Sequence, residues 1–156
     1  MGRQFGRNAG DTMSLIVDST VWIDFFNPKV KSSEKKFLSQ LIQSNYPIYL
    51  CPIVYQEVLQ GIREEKIFTE IKNILQHYRM LDIDLMYVTN YAVNLYRHLR
   101  KKGITIRKSV DCLIASYVIL SDMELLHNDS DFINIAKESE LKICKKHKES
   151  TAPQDE

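Results

Sequence analysis

The chain has 156 residues, 44% of them hydrophobic and 26% charged, which is the balance of one globular domain with enough apolar material for a core. A formal net charge of +1 excludes a protein that coats polyanions by bulk charge and leaves only local basic stripes for that purpose. Three widely spaced cysteines, Cys51, Cys112 and Cys144, fit neither a disulfide framework nor a cysteine-rich zinc site, and no signal peptide or bilayer-length apolar run is visible, so reduced thiols in a cytoplasmic protein without membrane contact are expected.

Residues 1–12 are polar and aperiodic and are read as a cloning remnant or upstream extension, with Met13 the favoured native start. One domain is expected over 13–146 and a flexible polar tail over 147–156. Leu15-Ile16-Val17 is a short apolar run that suits a buried strand. Ser19 or Thr20 can then cap a short helix through Ile23 and Phe26 that ends before Pro28. "SSEKKFLSQLIQSN" gathers Phe37, Leu38, Leu41 and Ile42 on one helical face, and "PIYLC" is a second strand. Pro52 suits the first turn of a helix carrying Ile53, Val54, Val58 and Ile62.

Glu65 to Arg79 repeats Ile67, Ile71, Ile74, Leu75 and Tyr78 at helical spacing. "MLDIDL" alternates as an edge strand would, with Asp82 and Asp84 on its polar side. Thr89 to Lys102 predicts a helix with a basic last turn and Gly103 just past its end. "SVDCLIASYVIL" is a nearly all-apolar, hence central, helix that Ser109 can cap; "MELLHN" is a strand, Phe132 to Glu138 a short helix, and "LKICK" a last strand. Strands alternating with helices imply right-handed crossovers and an α/β fold, its mostly parallel sheet covered on both faces.

Ligands of such sheets bind beyond the carboxyl ends of the strands. Asp18 follows the first strand and Asp129 follows "ELLHN", so parallel strands would bring both carboxylates to one edge. Each alone is equally a turn or cap residue. Asp111 shares a face with Ile114, Ala115 and Val118, or serves only as a first-turn acid at the helix dipole. Glu57 lies between Ile53 and Gly61 at spacings of four, at the margin of a buried stripe or merely reaching into water. Four carboxylates in one cleft would repel unless a cation compensated, and a hard divalent ion does so with oxygen ligands alone. Such a site activates water and stabilises charge on a phosphodiester. The histidines, His77, His98, His127 and His147, have no metal-ligand spacing.

"LIVDSTVWIDFF", "VYQEVLQGI", "SVDCLIASYVI" and "LLHNDSDF", in this order and at these separations, resemble the four motif blocks of PIN-domain ribonucleases, most nearly the VapC-type toxins of bacterial and archaeal toxin–antitoxin pairs. The resemblance implies a PIN-like three-layer α/β/α fold with about five strands. It also implies an endoribonuclease dependent on Mg2+ or Mn2+ and blocked by a small cognate antitoxin. It carries the family's acidic quartet, catalytic and metal-binding, to Asp18, Glu57, Asp111 and Asp129. Thr20 matches the hydroxyl residue two after the first Asp. Asp131 matches the second Asp of "D-x-D-F" and is read first as the cap of the next helix and second as a water-mediated ligand. The chain departs from the pattern at His127, where the family often has Thr or Ser; its imidazole is read mainly as packing or support.

An RNA substrate calls for cations near the acids, and the run from Arg97 to Lys108 supplies them, with Arg107 and Lys108 the candidates for substrate contact and solvation the plain alternative. Trp22 and Tyr55 flank acidic blocks and either stack on bases or belong to a core or interface. Asp24 is left off the site. The amphipathic Glu65–Arg79 helix and the flanking aromatics leave apolar surface for a homodimer. Two alternatives stand beside the toxin reading: a PIN nuclease of housekeeping RNA processing, and a non-catalytic PIN-fold binding module.

Overall fold

A computed structural model describes residues 13–145, so the extension expected over 1–12 and the tail expected over 147–156 lie outside the described residues. Twelve elements alternate as the apolar periodicity predicts: β1 (Leu15–Val17), α1 (Ser19–Phe26), α2 (Ser33–Gln43), β2 (Ile48–Leu50), α3 (Pro52–Gln60), α4 (Glu65–Leu75), β3 (Arg79–Met80), α5 (Leu85–Lys101), α6 (Ser109–Leu120), β4 (Glu124–Leu126), α7 (Ser130–Lys137) and β5 (Lys142–Ile143). The strands form one sheet of order β3-β2-β1-β4-β5 in which every pairing is parallel. This is the three-layer α/β architecture, its helices shielding a short central sheet.

Leu15, Ile16 and Val17 are fully buried because β1 is the middle strand, paired with β2 on one side and β4 on the other. A strand covered on both faces has no polar position to alternate with, hence its unbroken apolar run. α6 is the internal helix: Ile114, Ala115 and Val118 are fully buried, and Cys112 and Tyr117 nearly so. Burying each large aliphatic side chain contributes about 1.5–3 kcal/mol. Trp22 is also in the core, stacked on Phe26 at 5.7 Å between ring centroids and edge-on to Tyr78 at 5.2 Å. It is therefore a packing residue and not a surface for bases, whereas Tyr55 lies half-buried against the core.

Chain order reverses at β1. From β1 the chain steps outward through β2 to β3, then returns to place β4 and β5 on the other flank. The crevice above the carboxyl ends of β1 and β4 is the switch point where such sheets take ligands. Gly103, just past α5, has φ +76°, the left-handed conformation that favours glycine there.

Several boundaries differ from expectation. α4 ends at Leu75, four residues before Arg79, because Arg79–Met80 pair with β2 as β3. "MLDIDL" is not a strand beyond Met80. Asp84 is an N-cap whose Oδ1 accepts the Tyr87 N–H at 2.8 Å, so α5 starts at Leu85 and not at Thr89. A short polar side chain that answers a free amide outweighs a two-residue alternation. Asp18 and Lys108, rather than Ser19, Thr20 or Ser109, hold the cap positions of α1 and α6. Asp84→Ala should lower stability by about 1 kcal/mol in chemical denaturation, the usual cost of a lost cap; an edge-strand role would instead leave stability unchanged.

Candidate metal centre

Asp18 leaves β1 and its backbone N–H donates to the Leu126 carbonyl at 2.9 Å, continuing the β1–β4 ladder by one bond. That register brings the Asp18 turn beside His127, Asn128 and Asp129, which leave β4 at the same edge. Asp111 arrives from the first turn of α6, where the dipole favours an anion, and Glu57 from the middle of α3. The acids that sequence reasoning singled out therefore gather in one region, although they do not all converge.

The tight group is Asp111, Asp129 and Asp131, with one carboxylate oxygen from each lying within 4.8 Å of the others. Asp131 was expected to cap the helix, and the structure assigns that place to Asp129. Asp129 has extended φ −116° and ψ 129°, and its carboxylate accepts the Asp131 N–H at 3.0 Å. A cap residue stands outside the helix and accepts from an amide inside it, and only Asp129 does both. Asp131 is instead in the first turn, buried, with its carboxylate turned into the acidic group.

Asp18 and Glu57 stand at the edge of this group and are held by hydroxyls. Thr20 Oγ1 lies 2.6 Å from Asp18 Oδ2 and 2.7 Å from Asn128 Oδ1. Thr20 has one hydroxyl proton, which it donates to Asp18, so the Asn128 contact is a second hydrogen bond when the amide turns its NH2 toward the Thr20 oxygen. Ser19 Oγ donates to Glu57 Oε1 at 3.1 Å. Asn128 Nδ2 donates to Asp24 Oδ2 at 3.3 Å, so Asp24, set aside from the sequence, touches the site through an amide. Neither Ser19 nor Asn128 was singled out by sequence reasoning. The "DS" following β1 and the "ND" following β4 were the available signals.

His127 Nδ1 accepts the Asp129 N–H at 3.1 Å, which leaves the ring proton on Nε2, and its ring packs on Phe132 at 5.3 Å. Burial lowers its pKa against the pull of the Asp18 charge, so it is a neutral support for the Asp129 turn. Arg107 reaches the acids directly: Nη2 donates to Asp129 Oδ1 at 3.0 Å and Nε to Asp131 Oδ2 at 3.1 Å. The Lys108 carbonyl accepts the Asp111 N–H at 3.1 Å, and its side-chain charge bears on Asp111 and Glu57.

The electrostatics suit a bound cation. Burial first, then the charges of Asp18 and Asp129, pushes the Asp111 carboxyl up to about 7. Burial likewise raises Asp18 against its hydroxyl and amide partners, and raises Glu57 against its Ser19 bond. Asp111 is 6% exposed, and its Oδ2 is buried with no hydrogen-bond partner among the described residues. An orphaned carboxylate oxygen in a cluster of carboxylates is the donor set of a hard divalent ion. The residues present fit such an ion, with Asp111, Asp129 and Asp131 able to hold it.

The chain matches the family described as the PIN domain over residues 15–138. Ribonuclease VapC11 of Mycobacterium tuberculosis is 25% identical over 130 residues, spanning 83% of this chain and 97% of the relative. A VapC ribonuclease of Mycobacterium bovis is similar to the same extent. Among solved structures, VapBC2 from Rickettsia felis, bound to a DNA fragment from their promoter, has a TM-score of 0.67 at 23% identity, covering 85% of this chain and 98% of that one. FitAcB from Neisseria gonorrhoeae has a TM-score of 0.62 at 15% identity, covering 83% and 95%. At these identities the solved structures show likeness of fold.

Because the Asp111 pKa is raised from 3.8 to about 7, the folded chain binds more protons than the unfolded chain between those values, and stability falls as pH rises through that window. Asp111→Asn lacks this loss. In chelator-treated buffer its melting temperature should exceed that of the wild type by a margin that grows between about pH 4 and about pH 7.5. Differential scanning calorimetry across that range checks it, and a constant margin contradicts the assignment.

Proposed function

The chain belongs to the PIN-domain family, and we propose that within it the protein is a metal-dependent endoribonuclease, the toxin of a VapBC-type toxin–antitoxin pair. The observation that carries the reading is the Asp111, Asp129 and Asp131 group, one carboxylate oxygen of each within 4.8 Å of the others, together with a buried Asp111 oxygen that has no hydrogen-bond partner among the described residues. Support for the ribonuclease and toxin roles comes from relatives named VapC ribonucleases and from fold neighbours described as VapBC2 and as a toxin–antitoxin complex.

Asp111, Asp129 and Asp131 would hold Mg2+, or Mn2+ as a substitute, since all the donors are oxygens. When bound, the ion lowers the pKa of a water and stabilises charge on the phosphodiester. The remaining work belongs to side chains. Asp18, steered by Thr20, and Glu57, steered by Ser19, flank the attacked position as acceptors for a water proton. His127 holds the Asp129 turn. Arg107 and Lys108, both exposed at the rim, supply positive charge for an RNA backbone.

The partner proposed is a small cognate antitoxin that blocks the acidic site, in the cytoplasm; among the described residues no helix is long and apolar enough to cross a membrane. Ile67 and Ile74 on α4, with Leu85, Met86 and Tyr87 at the start of α5, are exposed apolar side chains that support a homodimer. Sedimentation velocity at micromolar concentration should show a dimer, and a monomer there would count against it.

Mapping RNA 5′ ends after induction of the wild type beside Asp18→Asn tests the activity. New ends should appear with the wild type only, and purified protein should lose cleavage in excess EDTA and regain it with Mg2+ or Mn2+. Full cleavage by the variant, or in EDTA, would overturn the mechanism.

A further inference from the structure

Arg107 closes the acidic group from the solvent side. Besides its two guanidinium bonds to Asp129 and Asp131, its backbone N–H reaches Asp131 Oδ2 at 3.4 Å. The side chain is 68% exposed while that of Asp131 is 8% exposed, so the fork is pinned by charge and hydrogen bonds and very little by packing. It can swing into water without opening a cavity in the core. The fork also neutralises the cluster incompletely, because Asp111 Oδ2 stays buried and unpartnered behind it. A guanidinium is a planar donor that serves two carboxylates side by side, whereas a divalent ion gathers three around one point.

We propose that Arg107 is an exchangeable counter-cation of the metal centre: it occupies Asp129 and Asp131 while no ion is bound, and a divalent ion displaces it from them. The inference rests on the metal reading above and adds a competitor to it. Two cations on the same pair of carboxylates repel each other at short range, so the apparent affinity for metal is set partly by the strength of the arginine fork. Exchange would also leave a free guanidinium at the mouth of the site, beside Lys108, where a phosphate must enter. Arg107 thereby passes from pairing with the acids to facing an incoming phosphate without any movement of the fold.

The test is a Mn2+ titration of the full chain followed by electron paramagnetic resonance of the free ion, for wild type, Arg107→Gln, Arg107→Lys and Asp111→Asn. Arg107→Gln should bind Mn2+ on the order of ten-fold more tightly than wild type, from the repulsion removed. Arg107→Lys, charged but without the fork, should fall between them. Equal or weaker binding by Arg107→Gln would overturn the proposal while leaving the metal reading intact, provided Asp111→Asn alone loses the ion. Absence of binding in every protein, wild type included, would overturn both. A second measurement needs no variant beyond an assignment: the Arg107 Nε–Hε resonance of the wild type should shift and lose its protection from solvent exchange as Mg2+ is added. A resonance indifferent to Mg2+ would also overturn the proposal.

Discussion

The parallel pairing of β1 with β4 is the constraint on which the rest depends. Leu15, Ile16 and Val17 lie in register with Glu124, Leu125 and Leu126, and both strands end at the same edge. The chain that follows each strand begins with a carboxylate or reaches one within three residues. Because both strands are buried, those acids meet over an apolar floor of low dielectric, where like charges repel far more than in water. The packing that stabilises the domain is thus also what makes its acidic edge unstable.

The chain manages that instability unevenly. Asp18 has the Thr20 hydroxyl, Glu57 has Ser19, and Asp129 and Asp131 share the Arg107 fork. Asp111, on the most buried helix, has no comparable partner for Oδ2. Hydroxyls offset part of the burial of the acids they touch, whereas a full positive charge offsets more, and the one full charge in ion-pair contact among the described residues, Arg107, is also the most exposed member of the cluster. The cost of gathering the acids falls on Asp18 and Glu57, both raised by burial, and on Asp111, pushed up to about 7.

The strand-and-helix order was legible because each element carries its own period. The apolar runs of β1 and α6 and the repeat of α4 need no tertiary information to be read. That Asp18, Glu57, Asp111 and Asp129 lie in one region of the fold was also legible, since acids beside apolar stripes stand out and resemble a known arrangement. What the one-dimensional pattern hid was local hydrogen bonding. Asp84 and Asp131 changed roles because capping depends on which amide a carboxylate reaches, and composition carries no such direction. The pairing of Arg107 was hidden for a different reason: its partners lie 22 and 24 residues away, across a helix and a strand. The exposed Leu85-Met86-Tyr87 patch disappeared from the reading once those residues were placed at and beyond the end of a strand.

Thr20 and Asn128, 108 residues apart, touch across the site, and this spacing bears on how the chain is made. Synthesis runs from the amino end, so Asp18, Glu57 and Asp111 all leave the ribosome before Asp129 and Asp131. Until β4 emerges and inserts beside β1, Asp18 lacks the strand neighbour that holds its edge, and two of the three converging acids are absent. A nascent chain of this design has no complete acidic centre while most of its length is already exposed. The RNA-rich machine that builds it meets a finished site only after nearly the whole fold has been delivered.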